Sequence, residues 1–284
     1  MKIFIPERAR ASDIGGGFSF TRNFINCIGG QVEFENKIEK CDIYFLPGPT
    51  LADKEEVECA KGMGKKIVLR VDNMPRNSRN RNTGSSRLLK FAEMADVIIY
   101  QSHWAKAFLM PFLKKDGEVI LNGVDNKLFN PNGKEIMRQG NPQCLYVRSS
   151  RDETKRWEKA WYDFQILFFK NPKAHLWIVG KFNPENIEYN FDLFGGAEKR
   201  YHFWGVVDDR VQLAEIYRSA DILFCPFANE ACSNTVNEAM ASGLKVLYEN
   251  DGGAIPEQIR RGVITLEEMC NNYLSVFKKC LEKN

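Results

Sequence analysis

Histidine is scarce in this chain, with three among 284 residues, and none of the eight cysteines belongs to a C-x-x-C pair. Structural zinc sites want clustered Cys and His at short spacing, so no metal is expected. Cys27, Cys41, Cys59, Cys144, Cys225, Cys232, Cys270 and Cys280 instead read as reduced thiols, several within apolar runs such as Ile222-Leu223-Phe224-Cys225. No apolar run approaches the roughly 18 residues of a membrane span. The opening Met1-Lys2-Ile3-Phe4-Ile5-Pro6 turns polar too early for a signal-peptide core. A cytoplasmic protein with no transmembrane segment is the expectation, and peripheral contact with a membrane surface stays open. Net charge is only +3, without the basic stripe of a nucleic-acid binder, so no nucleic-acid partner is expected. A good G-x-G-x-x-G fingerprint is missing, which disfavours a Rossmann oxidoreductase.

What is present is a rhythm of short apolar strand, loop and helix. The length suggests about two domains at roughly 150 residues each, and 44% apolar residues is ordinary for a globular protein. Strands are predicted at 2–5, 43–46, 66–70, 97–100 and 118–121, and again at 143–147, 175–179, 202–203, 222–225 and 245–248. Several are apolar without alternation, as in strands covered on both faces. Amphipathic stretches at 87–95, 157–169 and 211–219 lie between them. Alternation of this kind implies parallel sheets with right-handed crossovers. Pro, Gly and Asn cluster between Phe129 and Pro142, which fits a linker. The predicted organisation is a first domain over 1–132, a second over 133–264, and a helical tail over 265–284 that returns to the first.

In open α/β sheets ligands sit outside the carboxyl ends of the strands, so the loops after strands are where chemistry is sought. The segment from Phe227 to Gly243 is the most informative. A buried strand ends before it, a polar loop follows, and a helix opens near Asn234 or Thr235, with Glu230 and Glu238 bracketing seven residues. Free N–H groups at such a helix start favour a diphosphate, and carboxylates accept from sugar and ribose hydroxyls. A structural reading of the same pair exists: Thr235-x-x-Glu238 is also a capping box.

Glu-x7-Glu followed by Ala-Met-Ala-Ser-Gly, between a strand and Lys245-Val246-Leu247, closely resembles the retaining glycosyltransferases of family 4. The resemblance implies a GT-B fold: two Rossmann-like, doubly wound parallel-sheet domains facing a central cleft, acceptor side first and donor side second. It implies that Glu230 meets the donor hexose, that Glu238 holds the ribose hydroxyls, and that the amides of Ser233, Asn234 and Thr235 lie at the diphosphate. It assigns Arg151 and Lys155, in the loop after the strand at 143–147, to the diphosphate, although Ser149-Ser150 replaces the family's usual glycine and Arg156 is an alternative to Lys155 in that role. Gly205 and Val207 fall where the family places the nucleobase. Gly16 and Gly17 match a glycine pair facing the donor, and Asp72 and His103 fall on the acceptor side or near the reacting sugar. The implied reaction moves a hexose or related sugar from a UDP- or GDP-sugar, as co-substrate, to a carbohydrate-type acceptor, with no tightly bound cofactor and no metal. A non-catalytic nucleotide-sugar-binding protein and a GT-B-type sugar-nucleotide epimerase remain alternatives.

Overall fold

The computed structural model of the chain describes residues 1–11, 16–72, 74, 82–148, 153–181 and 200–282. The chain divides into two compact units. The first comprises Met1–Gly123, Ala231–Asn234 and Ile264–Asn284, and the second Val124–Glu230 and Thr235–Val263.

The first unit contains β1 (Lys2–Phe4), α1 (Glu7–Arg10), α2 (Gly16–Ile28), β2 (Glu33–Glu35), β3 (Ile43–Leu46), α3 (Lys54–Gly62), β4 (Lys66–Val71), α4 (Asn82–Met94), β5 (Val97–Tyr100), α5 (His103–Leu113) and β6 (Glu118–Val119). Its sheet is parallel, in the order β2-β1-β3-β4-β5-β6. The pleat sends alternate residues to opposite faces, and both faces are covered. Ile43 and Phe45 of β3 belong to one apolar cluster with Phe24 and Ile28 of α2, whereas Tyr44 and Leu46 join Val57, Phe91 and Leu109 on the other face. This two-sided burial is why the strands read as unbroken apolar runs.

The second unit contains β7 (Gln143–Val147), α6 (Trp157–Lys170), β8 (His175–Val179), β9 (Tyr201–Gly205), α7 (Arg210–Arg218), β10 (Ile222–Cys225), α8 (Asn234–Ala241), β11 (Lys245–Tyr248) and α9 (Ile255–Arg261). Its parallel sheet runs β11-β10-β7-β8-β9. The final helix, α10 (Leu266–Glu282), belongs to the first unit. Its Tyr273 packs with Phe20, Phe24 and Phe45, and its Phe277 with Phe24 and Phe45, at ring separations of 5.2–6.1 Å. Aromatic pairs of this kind contribute about 0.5–1.5 kcal/mol each beyond their buried area. Among the described residues no helix is long and apolar enough to cross a membrane.

Strand order fixes where each unit can hold a ligand. Chain direction across the sheet reverses between β7 and β10 in the second unit and between β1 and β3 in the first. At such switch points the loops leaving adjacent strands part to opposite faces and leave a crevice at the carboxyl edge.

Candidate functional site

The switch point of the second unit explains the first pairing. Lys155 lies in the loop after β7 and Glu230 in the loop after β10. Because β7 and β10 are neighbours, the two side chains meet in an ion pair, each residue 6% exposed. Below them is the buried ring of Phe227, 4.9 Å from the Lys155 ammonium. Two charges removed from water this completely need partners, since a lone buried ion costs several kcal/mol.

Glu230 is also clamped through its backbone. It forms a parallel bridge with Gly253, its N–H donates to the Gly252 carbonyl at 3.3 Å, and its own carbonyl accepts from Ala254 N–H at 2.8 Å. Gly253 has φ +73°, and a Cβ there would stand 2.5 Å from the Glu230 carbonyl oxygen. Only glycine fits that contact. Asn229, with φ +54°, turns the chain into the clamp. One residue past Lys155, Arg156 leaves in the left-handed region (φ +46°) and forms a two-point ion pair with Asp251 at 2.8 and 2.5 Å. Its hydrogen bonds hold the Asp251 carboxyl below its usual range, and the pair ties the loop after β7 to the glycine clamp.

Glu238 is buried within α8, and its carboxylate accepts from the Arg210 guanidinium at 2.9 Å. Arg210 opens α7 and lies over the Phe129 ring at 4.7 Å. The helix begins at Asn234, so Thr235 lies inside it rather than capping it, and Glu238 is turned to Arg210 instead of back to the helix start. Ser233 and Thr235 are buried, and Asn234 is half-buried. Gly205 ends β9 with φ +68°, accepting from Gly180 N–H at 2.8 Å, and Val207 packs against the core of the second unit. Arg151 lies outside the described residues.

In the first unit a buried network holds the loop at 231–234. The Asn122 side-chain amide is directed at the Cys232 carbonyl (3.2 Å), Asn234 Oδ1 (3.0 Å) and Gln101 Oε1 (3.0 Å), while its Oδ1 accepts from Arg70 at 3.0 Å. Arg70 also donates to the Pro47 carbonyl at 2.8 Å and stacks on Phe20 at 3.8 Å. Asp72, just past β4, stands 3.8 Å from Arg70, and burial pushes its carboxyl upward, with Arg70 opposing. Its carboxylate faces Gly17 and Gly48, where an added Cβ would approach it to 3.1 and 2.5 Å. Among the described residues nothing lies within 4 Å of a Cβ added at Gly16, and His103 is exposed at the first position of α5, behind the Ser102 cap.

Lys155, Glu230 and Glu238 were visible in the sequence, but not that the first two pair, nor that Arg210 holds the third, nor the Gly253 clamp. The glycine pair at 252–253 was the one visible signal of the clamp.

The whole chain superposes on proteins of one architecture. It is similar to sucrose-phosphate synthase of Thermosynechococcus elongatus over 99% of this chain and 92% of that one, with 16% identity and a TM-score of 0.66. It is similar to HepE of Anabaena in complex with UDP over 99% and 90%, with 14% identity and a TM-score of 0.67. The fold is GT-B. The pneumococcal O-GlcNAc transferase GtfA, in complex with UDP and GlcNAc, shares this GT-B architecture over 82% of this chain and 48% of that one, at 15% identity and a TM-score of 0.59. Residues 141–274, which hold the Lys155–Glu230 pair and Glu238, match the family described as Glycosyl transferases group 1. No curated protein matches the chain in sequence.

Proposed function

We propose that this GT-B protein is a retaining glycosyltransferase that moves a hexose or related sugar from a nucleoside-diphosphate sugar to a carbohydrate-type acceptor, without a metal. The observation that carries the reading is the buried Lys155–Glu230 pair at the switch point, inside the segment that matches the group 1 family. HepE of Anabaena has been seen with UDP-glucose, which supports a nucleotide-sugar donor.

In this reading residues 133–264 carry the donor and residues 1–132 the acceptor. Glu230 accepts from hexose hydroxyls while Lys155 neutralises it and faces the diphosphate. Glu238, held by Arg210, takes the ribose hydroxyls. The amides of Ser233, Asn234 and Thr235 meet the diphosphate with Arg151, and Gly205 and Val207 border the base. Gly16 and Gly17 bind the donor, and Asp72 and His103 serve the acceptor and the reacting sugar. The bond from the anomeric carbon to the diphosphate oxygen breaks as the acceptor oxygen bonds to that carbon on the same face. The acceptor proton passes to the leaving diphosphate. Preorganised charge at the leaving group supplies the main stabilisation.

The test is a thermal-shift panel of UDP- and GDP-sugars on the wild type and on Glu238→Ala. A donor at about 100 times its Kd stabilises by about 2.7 kcal/mol. Stabilisation by one nucleotide series, lost in the variant, supports the reading. Equal melting temperatures with every nucleotide sugar contradict it.

A further inference from the structure

Asn122 lies in the loop after β6 and is buried, and its hydrogen-bond network leaves its side-chain amide one orientation. Arg70 carries only donors, so the Asn122 oxygen must face it, at 3.0 Å. The Val71 carbonyl can only accept, so Gln101 turns its Nε2 to Val71 and its Oε1 to the Asn122 nitrogen, each at 3.0 Å. Both neighbours thus direct the Asn122 NH2 group the same way. It reaches the Cys232 carbonyl at 3.2 Å and Asn234 Oδ1 at 3.0 Å. The Asn122 backbone N–H adds a contact to Cys232 Sγ at 3.3 Å. Arg70 is itself fixed by the Pro47 carbonyl and the Phe20 ring.

These contacts decide where the loop's own donors point. The Cys232–Ser233 peptide is trans, and a trans peptide is planar, with its C=O and N–H directed opposite ways. Holding the Cys232 carbonyl toward Asn122 therefore turns the Ser233 N–H away from it. Engaging Asn234 Oδ1 likewise puts the Asn234 NH2 group on the far side of its amide. Asn234 is the first residue of α8, and the first N–H groups of a helix have no intrahelical acceptor. We propose that Asn122 is a positioning residue of the donor site: Arg70 and Gln101 orient it, and it aims the N–H groups at 233 and 234 before a ligand arrives. This rests on the glycosyltransferase reading, in which those groups meet a nucleoside diphosphate. Donors fixed in advance need no reorganisation as charge develops on the leaving group. Asn122 acts on the ligand only through Ser233 and Asn234.

Asn122→Leu and Asn122→Ala test this. The first fills a similar volume without a donor, the second removes the side chain, and neither adds a charge; whichever variant folds carries the test. Each is compared with wild type by hydrogen exchange without ligand, and by calorimetry with UDP, GDP, uridine and guanosine. The expected result is exchange across residues 231–238 faster by about tenfold or more, with α9 unchanged. Affinity for the nucleoside diphosphate that binds should fall about tenfold or more, while its nucleoside binds as it does to wild type. A purely structural role would not separate the diphosphate from the nucleoside in this way. Equal losses for both ligands, diphosphate affinity equal to wild type, or unchanged exchange at 231–238 would each overturn the proposal and leave the donor reading standing. Where no nucleotide binds the wild type, the glycosyltransferase reading fails by itself. The exchange result then decides alone whether Asn122 holds the loop: faster exchange at 231–238 supports it and unchanged exchange overturns it.

Discussion

Lys155 and Glu230 are 75 residues apart in sequence and form one buried ion pair. The pair exists because β7 and β10 are adjacent and parallel, so their outgoing loops share one crevice. Removing one partner leaves an uncompensated buried charge, which costs about 3–5 kcal/mol, whereas replacing both with apolar groups of similar size is often neutral. Lys155→Met should therefore lower stability by about 3–5 kcal/mol in urea unfolding. Lys155→Met/Glu230→Leu should recover most of that loss and still fail to bind a nucleotide sugar. Recovery of binding in the double variant would show that the pair serves stability alone.

Gly253 is the backbone support of Glu230. Gly253→Ala puts a methyl group 2.5 Å from the Glu230 carbonyl at a residue with φ +73°. Both strain and collision act, so a loss of about 1–3 kcal/mol is expected, with weaker donor binding as Glu230 shifts. Gly262 also has a positive φ (+80°) but nothing near its missing Cβ. Gly262→Ala should show the strain without the change in donor binding. Equal effects of the two substitutions on donor affinity would refute the clamp.

His175 supplies a pH dependence. It is buried, and desolvation, with His202 and Arg200 adding to it, lowers its pKa to about 4. A base depressed in the folded state is neutral there while the unfolded chain takes up a proton. Stability should fall as pH drops from about 6.5 through about 4, by up to roughly 1.4 kcal/mol per pH unit. His175→Gln should flatten the urea midpoint between pH 7 and pH 4.5. A variant with the same slope as the wild type would place the sensitivity elsewhere.

Asp72 gives the opposite sign to a carboxyl group. Its pKa is raised, chiefly by burial, so its contribution to stability is present below the unfolded value and is lost as pH rises through the folded one. Asp72→Asn should be more stable than the wild type at pH 8 and lose that advantage near pH 3. If the residue also serves the acceptor, the same variant should raise the acceptor KM while leaving the donor Kd unchanged.

The β-strand pattern was largely legible. The predicted limits at 43–46, 97–100, 143–147, 175–179, 222–225 and 245–248 coincide with the observed strands; strands such as β3 and β10, buried along their length, read as apolar runs, and the edge strand β11 shows through its apolar centre Val246-Leu247. β2 escaped notice because Glu33-Phe34-Glu35 is a three-residue edge strand whose pairing comes from β1 alone. Helix α5 escaped because its outward side carries Phe108, Met110 and Phe112, which erases the polar face that marks a surface helix. At the site, residue types were visible and pairings were not. That Lys155 meets Glu230, and that Glu238 meets Arg210 rather than a helix cap, depends on strand order and on where α8 begins.

In the proposed function the Lys155–Glu230 crevice activates a nucleotide sugar. The most direct measurement is the rate of UDP or GDP release from its nucleotide sugars with a panel of sugar acceptors, wild type against Glu230→Gln. Losing a charged contact in the transition state costs about 2–5 kcal/mol, or roughly 30- to several-thousand-fold in rate. Acceptor-dependent release by the wild type, reduced at least about 30-fold in the variant, is the predicted result. Release at equal rates in both proteins would contradict the account.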